Sequence, residues 1–224
     1  MAILSNLDLI RRVPLFAMLT DEQAALVADA VVKRRYKRGD KIVEQGKKSN
    51  ALFLILSGRA RVVSADSRGR EVILATLGAG DYIGEMSLID DEPHSATVQT
   101  EIQTDVLELA RQDFARCLPE NTSMSYAVMR GLVQRLRQAD RKIESLALMD
   151  VYGRVARALL EAAIPGPDGQ LIIREKVSRS DIAKMVGASR EMVSRVMKDL
   201  EDQHLIVMLD NGTLHIKEHI IQLG

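Results

Sequence analysis

The chain is poor in the residues that would mark a disulfide-rich or redox-active protein. Of its 224 residues, one is cysteine, none is tryptophan and 3% are aromatic. The single cysteine, Cys117, cannot form an internal disulfide, and alone it cannot supply the four thiolates of an iron-sulfur cluster. We therefore expect neither group in this protein.

Long apolar runs and catalytic motifs are absent as well. No run approaches the roughly 18 apolar residues of a membrane-spanning helix, and the N-terminus lacks the charged-then-apolar layout of a secretion signal. We find no nucleophile paired with a base, no metal-ligand spacing such as C-x-x-C or H-E-x-x-H, and no P-loop. The sequence predicts a cytoplasmic protein with no membrane partner, no metal and no enzymatic activity.

A net charge is also missing, since 31 Lys and Arg residues balance 31 Asp and Glu residues. The total therefore indicates no nucleic-acid partner, but the distribution is uneven. Residues 174–198 carry seven basic and three acidic side chains, whereas residues 81–92 carry five acidic and no Lys or Arg. Because an acidic surface repels phosphate, we expect DNA to meet the basic segment.

Residues 177–209 have the pattern of two short amphipathic helices joined by a tight turn. Ser178 is expected to cap the first helix, with Asp181 three residues later completing the capping pattern. Gly187 is expected to end that helix, since glycine adopts the left-handed conformation that a sharp stop requires. Ser189 then caps the second helix. This arrangement is typical of a helix-turn-helix.

The second helix separates an apolar stripe from a charged face. Its apolar residues recur at i, i+3, i+4 and i+7 and should face a core: Val193, Val196, Met197 and Leu200. Arg190 and Glu191 lie in the first turn, where a recognition helix points into the major groove. Arginine matches the O6 and N7 acceptors of guanine, and a carboxylate accepts from cytosine N4. The alternative is a solvated helix face with one Arg-Glu pair.

The segment SRSDIAKMVGASREMVSRVMKDLEDQHLI closely resembles the helix-turn-helix of the Crp-Fnr family of bacterial transcription regulators, nearer to its cyclic-AMP-receptor branch than to its oxygen sensors. The family pattern S-R-E-x-V-x-R implies that Arg190, Glu191 and Arg195 contact base edges. The resemblance further implies TGTGA-like half-sites, DNA bending and RNA polymerase as a candidate partner. The predicted DNA-binding surface consists of Arg179, Ser189, Arg190, Glu191, Ser194, Arg195 and Lys198.

A β-rich region precedes these helices. Residues 36–109 contain short apolar runs such as LFLIL and VILATL, separated by glycines at roughly ten-residue spacing, which predicts a compact roll or barrel. The phrases RGDKIVEQG, LFLILSGRARVV and LGAGDYIGEMSLIDDEPHSATV resemble the cyclic-nucleotide-binding β-roll of the same family. Residues 1–34 are predicted to be helical, with a break at Pro14 and a capping box of Thr20 and Gln23.

Residues 121–149 are predicted to form one long helix with an apolar heptad seam: Met129, Leu132, Leu136, Ala139, Ile143 and Leu146. A symmetric pair of such helices makes a homodimer. The alternative is a helix that packs on its own domain. It stays open because the seam is shorter than the three or four heptads that identify a coiled coil from sequence pattern alone. A two-fold axis would set two recognition helices on half-sites about 34 Å apart in a palindromic operator.

The predicted fold class is α+β with three segments. Residues 1–120 form a sensor β-roll, residues 121–149 the dimerisation helix, and residues 150–224 a winged helix-turn-helix domain. Asp150 is expected to cap a helix that begins at Val151. After it come a turn at 165–169, a strand from 171 to 177, and a hairpin at 205–217 that forms the wing.

Gly84 and Glu85 match a Gly-Glu pair that, in the resembling cyclic-nucleotide domains, binds the ribose 2′-hydroxyl while helix-start amides hold the cyclic phosphate. Nine residues later the family places a phosphate-binding arginine, but this chain has His94. Imidazole is often neutral near pH 7 and cannot make the bidentate contact, so we expect cyclic AMP binding to be weakened by about 1.5 to 3 kcal/mol or more. Ala139 and Asp140 stand where the family's adenine-reading Thr-Ser pair belongs. The predicted effector pocket consists of Gly84, Glu85, Met86, His94, Ser95, Ala139 and Asp140.

Three effector hypotheses stay open at this point. The pocket binds a cyclic mononucleotide such as cyclic AMP weakly, or it binds another effector such as cyclic di-GMP, or it binds nothing and the protein is constitutively competent. A haem role for His94 is a less favoured alternative. The rival function is a nucleotide-sensing subunit that regulates a protein partner, and the helix-turn-helix argues against it.

Overall fold

The computed structural model describes residues 6–10, 16, 19–120, 122–166, 170–174, 178–209 and 213–217, and the chain divides into two compact units, 1–136 and 137–224. Each unit combines helices with antiparallel sheet, so the predicted α+β class is confirmed. The three-segment division, with its boundary near residue 150, stays a prediction.

In the described part of the first unit, eight strands are flanked by short helices. Its helices are α1 (Asn6–Ile10), α2 (Asp21–Ala30), α3 (Glu85–Asp90) and α4 (Arg111–Glu120). Its strands are β1 (Val32–Tyr36), β2 (Lys41–Val43), β3 (Ala51–Ser57), β4 (Ala60–Ala65), β5 (Glu71–Leu77), β6 (Tyr82–Ile83), β7 (Thr97–Thr100) and β8 (Thr104–Ala110). They form two antiparallel four-stranded sheets, in the orders β1-β8-β3-β6 and β2-β7-β4-β5.

Strand β3 contributes to two hydrophobic clusters, one on each of its faces. Leu52 and Leu54 belong to the cluster that includes the helix residues Val27 and Phe114. The alternate residue Ile55 belongs to a second cluster, with residues of the other sheet. Because successive side chains of a strand point to opposite faces, a strand buried on both faces needs a continuous apolar sequence.

The N-terminal prediction is confirmed in part and corrected in part. The capping box is present, since Gln23 N donates to Thr20 Oγ1 at 3.3 Å and Thr20 N donates to Gln23 Oε1 at 3.0 Å. The helical prediction for 1–34 is wrong at its end, because β1 begins at Val32. Arg34 and Arg35 of that strand pair with acidic residues of β8. Pro14, the expected break, lies outside the described residues.

The long helix α5 spans Thr122–Leu148, close to the predicted range of 121–149. Asp150 then caps α6 (Val151–Ala162), as predicted, because its carboxylate accepts from the backbone N of Gly153 at 2.8 Å. Among the described residues, no helix combines the length and apolar character that crossing a bilayer would require.

The second unit is a three-helix core with a small sheet. After α6 come β9 (Ile164–Pro165), β10 (Leu171–Ile173), α7 (Arg179–Val186), α8 (Arg190–Asp202), β11 (Ile206–Met208) and β12 (Leu214–Ile216). The sheet is antiparallel in the order β11-β12-β10-β9. The expected hairpin is therefore present in its strands, while its turn at 210–212 and parts of the 165–169 turn and the 171–177 strand lie outside the described residues.

Candidate DNA-binding surface and effector cavity

The helix-turn-helix is set by local capping, as the sequence predicts. Ser178 Oγ accepts from Asp181 N at 3.0 Å, and Ser189 Oγ accepts from Met192 N at 3.2 Å. Gly187 ends α7 in the left-handed conformation, with φ of 65°. These bonds satisfy backbone groups that each helix end leaves open. The turn therefore orients α8 through interactions only a few residues long.

The apolar stripe of α8 holds the helix on its own unit. Val193, Met197 and Leu200 are buried among residues of α6, α7 and the sheet, and Val196 is half-buried against the same cluster. The stripe spans about two turns of the helix, so α8 cannot rotate without exposing it. The opposite face of α8 therefore stays exposed to solvent.

That exposed face carries the residues predicted to meet DNA. Ser189, Arg190, Glu191, Arg195 and Lys198 are exposed, and Ser194 is half-buried between them. The three cations on this face, Arg190, Arg195 and Lys198, form no salt bridge with any residue that the structure describes. Arg179 differs, because its guanidinium lies 3.9 Å from a carboxylate oxygen of Glu201. Its availability for phosphate is therefore lower.

Glu191 is held as a carboxylate on this surface. Its own backbone N–H and the Ser189 side chain lower its pKa below the ordinary value, and Arg190 and Arg195 add to the shift. An ionised carboxylate only accepts hydrogen bonds, as cytosine N4 requires. Met192, which the sequence analysis did not select, is 45% exposed in the same first turns. An apolar side chain there suits the methyl group of thymine.

The effector cavity lies in the first unit. It has a volume of about 220 Å³ and is lined by five of the predicted residues, Gly84, Glu85, Met86, His94 and Ser95. Asp90, Glu92, Ser87, Tyr82 and Arg135 also line it. Gly84 has φ of 94°, and a Cβ there would lie 2.9 Å from the carbonyl oxygen of Ala51. Glycine is thus required where the chain enters α3.

Glu85 is paired with a cation inside this cavity. The residue is 1% exposed, and the Arg135 guanidinium from α5 donates to Glu85 Oε1 and to the Tyr82 carbonyl oxygen. Burial raises the pKa of Glu85, and the Arg135 charge opposes that rise. The Arg135 guanidinium also lies over the Tyr82 ring, 4.8 Å from its centroid. A ligand hydroxyl that reaches Glu85 therefore meets Arg135 as well.

Gly131 gives the Tyr82 side chain its place against α5. A Cβ at Gly131 would lie 1.8 Å from Tyr82 Oη, and the phenol donates to the Val128 carbonyl oxygen at 3.3 Å. Any larger residue at position 131 would clash with Tyr82. This explains a glycine within α5, although glycine in a helix interior ordinarily lowers stability by about 1 kcal/mol relative to alanine.

His94 occupies the expected arginine position with both ring nitrogens engaged. Nδ1 lies 3.0 Å from Ser87 Oγ, and Nε2 lies 2.8 Å from Ser49 Oγ. Backbone bonds from His94 N to Lys47 O and from Gly46 N to His94 O fix the residue against the loop after β2. The residue is 8% exposed, and burial lowers the pKa of its imidazole. Haem ligation would need a ring nitrogen that is not engaged in this way.

Ala139 and Asp140, the remaining predicted pocket residues, are exposed on α5 and do not line the cavity of the single chain. The side chains that sequence reasoning missed are Ser49, Ser87 and Arg135. Arg135 is one of several basic residues outside the predicted seam, so helical spacing alone does not select it. Within the described part of the chain, no cluster of three or more His, Cys, Asp or Glu side chains could hold a metal ion.

These two sites define a class of protein, because an antiparallel β-roll with a Gly-Glu cavity joins a winged helix-turn-helix with an exposed basic helix. Two family models match the chain: the cyclic nucleotide-binding domain over residues 33–121 and the Crp-like helix-turn-helix domain over residues 153–219. The structure therefore belongs to a DNA-binding regulator with a cyclic nucleotide-binding domain.

Curated relatives and solved structures agree with that class. The cAMP-activated global transcriptional regulator Vfr of Pseudomonas aeruginosa is 36% identical over 183 residues, covering 78% of this chain and 84% of that protein. The cAMP-activated global transcriptional regulator CRP of Escherichia coli O157:H7 is 34% identical over 178 residues, covering 77% and 83%. The c-di-GMP responsive global regulator CLP of Xanthomonas campestris aligns with a TM-score of 0.73 and 26% identity, covering 88% of this chain and 99% of that one. The chain belongs to the Crp-Fnr family of transcription regulators.

Proposed function

We propose that this chain acts as a homodimer that reads a palindromic DNA site with α8 of each subunit, under the control of a nucleotide-type effector in the β-roll. The observation that carries the DNA-reading part is the exposed face of α8, with Arg190, Glu191 and Arg195 opposite a largely buried apolar stripe. Two guanidinium groups and one ionised carboxylate on one helix face can distinguish guanine from cytosine.

An exposed apolar line along α5 supports the homodimer. Met129 is 56% exposed, Leu136 62% and Ile143 64%. Ala139 and Leu146 are exposed as well, so five of the six predicted seam positions are available to a second copy. Leu132 is half-buried against its own unit's core, and the neighbouring Val133 is exposed in its place. An unpaired line at three- and four-residue spacing fits the knobs of a two-helix seam.

The proposed operator follows from the symmetry of such a dimer. Two recognition helices related by a two-fold axis bind half-sites about one helical turn apart, which makes a palindrome the matching DNA sequence. The family resemblance supports TGTGA-like half-sites and RNA polymerase as the protein partner at promoters.

The effector is the least constrained part of the proposal. The relatives Vfr and CRP are named for activation by cAMP and CLP for its response to c-di-GMP. The buried Glu85 suits a ribose hydroxyl, whereas His94 removes the permanent charge that a phosphate would meet. Cyclic AMP bound weakly, cyclic di-GMP and a constitutively competent protein therefore remain the three alternatives. Any effector acts only if it binds one arrangement of the dimer better than another.

Two measurements test the proposal. Sedimentation equilibrium should give a dimer at micromolar concentration, and selection from a random duplex library should enrich a palindrome. A monomer, or a library that stays random at physiological salt, would contradict the DNA-reading proposal. The second outcome would favour the rival function, a nucleotide-sensing subunit that acts on a protein partner.

A further inference from the structure

His94 stands between two cavities of the β-roll. Its Nδ1 side faces Ser87 and the effector cavity. Its Nε2 side faces Ser49 and a second cavity of about 230 Å³, lined also by Lys41, Lys47 and Lys48. The ring is thus a buried titratable group that the proposed DNA-binding role does not use.

The charged side chains that line the effector cavity do not offer an anion a net positive charge. On the effector side the ring faces Glu85, Asp90, Glu92 and Arg135. Arg135 is already bound to Glu85, so Asp90 and Glu92 leave that side net acidic.

The three lysines on the other side lie beside two carboxylates and outside the effector cavity. Glu44 lies 2.9 Å from Lys41 Nζ and 2.6 Å from Lys47 Nζ, and Asp91 lies 3.2 Å from Lys48 Nζ. None of these three lysines lines the effector cavity, so a phosphate bound there makes no direct contact with them. It needs a new cation, and His94 is the titratable base in the lining.

We infer that an anionic nucleotide effector binds this chain together with one proton, which His94 holds as an imidazolium facing the ligand's phosphate. The inference rests on the proposed effector cavity and assigns to it a specificity-determining residue. At position 94, where the family has a permanent guanidinium, this chain has a charge that exists only when the ligand is present or the pH is low.

The two serines allow this change without leaving a polar group unsatisfied. In neutral imidazole one ring nitrogen accepts a hydrogen bond, so one serine hydroxyl proton is directed at the ring. In imidazolium both nitrogens donate, and both serine oxygens accept. The hydroxyl proton of Ser87, which lines the effector cavity, is then free to point to a phosphate oxygen.

The sign of the pH dependence follows from the environment of the ring. Burial holds the pKa of His94 below its ordinary value in the free protein. A phosphate within about 4 to 6 Å favours the charged form and raises the pKa of the imidazole in the complex. Affinity is then highest at low pH and falls about tenfold per pH unit between the two pKa values.

Calorimetry on the full-length protein tests the inference. Cyclic AMP and cyclic di-GMP are the probes, each titrated from pH 6 to pH 8.5 in two buffers of different ionisation enthalpy. For the probe that binds, we expect affinity to fall at least tenfold across this range. The buffer dependence of the enthalpy should correspond to uptake of up to one proton.

Variants separate the charge of His94 from its packing. H94R should bind the same probe more tightly, with no pH dependence and no proton uptake, whereas H94Q should bind weakly and equally at all pH values. The control is H204N, which removes an exposed imidazole at φ of 57°, a conformation that asparagine tolerates. It should keep the wild-type pH profile.

Two results would overturn the inference in distinguishable ways. If the wild-type chain binds either probe with no proton uptake and no pH dependence, His94 is not the anion contact, while the effector cavity stands. If neither probe binds at pH 6, to the wild-type chain or to H94R, the nucleotide effector itself is wrong. The palindrome selection tests the DNA-reading role independently of both results.

Discussion

Replacing Arg195 by alanine isolates one predicted base contact. The side chain is exposed, and within the part of the chain that the structure describes it forms no salt bridge. Surface substitutions away from packing and caps usually change the free energy of unfolding by less than about 0.5 kcal/mol. A loss of DNA affinity in R195A therefore reports the interface rather than the fold. The same reasoning applies to R190A.

The size of the effect follows from the chemistry and the symmetry. A bidentate arginine-guanine contact contributes about 1 to 3 kcal/mol of discrimination against the wrong base. A homodimer on a palindrome carries the change twice, so the whole site should lose about 2 to 6 kcal/mol of binding free energy. A loss of about 2 kcal/mol, the lower end of this range, corresponds to an increase of about 30-fold in the dissociation constant.

The assay is fluorescence anisotropy at one fixed salt concentration, with the selected palindrome and its symmetric single-base variants. R195A should bind the palindrome and one class of variant about equally, because the contact that preferred the original base is gone. The matched control is K198A on the same face, which should weaken binding to every sequence alike. Because the dimer carries the change twice, the slope of log affinity against log salt concentration should fall by about two, one for each lost phosphate contact. Equal losses for R195A on the palindrome, its variants and random duplex would refute base reading by this residue.

Three further predictions follow. G187A should destabilise the second unit by about 1 to 2 kcal/mol, because a left-handed φ of 65° disfavours a Cβ, whereas G187N should cost less; equal melting temperatures for both variants would contradict this. L136D should dissociate the dimer in sedimentation experiments without unfolding the chain, while Q134D, which adds the same charge on the opposite face of α5, should leave it intact. The hydrogen bond from Arg35 lowers the pKa of Asp105, so the folded state gains stability above the ordinary pKa of aspartate and loses it as pH falls through the lowered value. D105N should therefore flatten the acid-induced loss of stability below the ordinary pKa of aspartate, only slightly because Arg35 is exposed. An unchanged acid unfolding curve would argue against the pair.

Sequence patterns predicted most of the secondary structure but failed where long-range pairing decides. The β3 run LFLIL indicates a strand, and the structure buries it on both faces. The run Val32–Tyr36 continues an amphipathic helix by composition, yet it is β1. Its arginines pair with Asp105 and Glu108, 70 or more residues away. No local sequence pattern indicates these ion pairs.

The effector cavity shows the same limit. Gly84 and Glu85 can be selected from sequence because they form a recognisable pair with a helix after it. Arg135 lies 50 residues from Glu85, and Ser49 lies 45 residues from His94. Both were missed, because nothing in their own neighbourhoods distinguishes them from other surface arginines and serines.

The sequence by itself determined that α8 is the second helix of a helix-turn-helix, and it determined which face of that helix stays exposed. Capping by Ser178 and Ser189, the stop at Gly187 and the apolar period of α8 all act over a few residues, so the order of residues is sufficient. Only the tertiary structure decided which cation meets Glu85 and what holds His94. Those contacts join segments far apart in the chain, and their geometry exists only once the β-roll has closed around them.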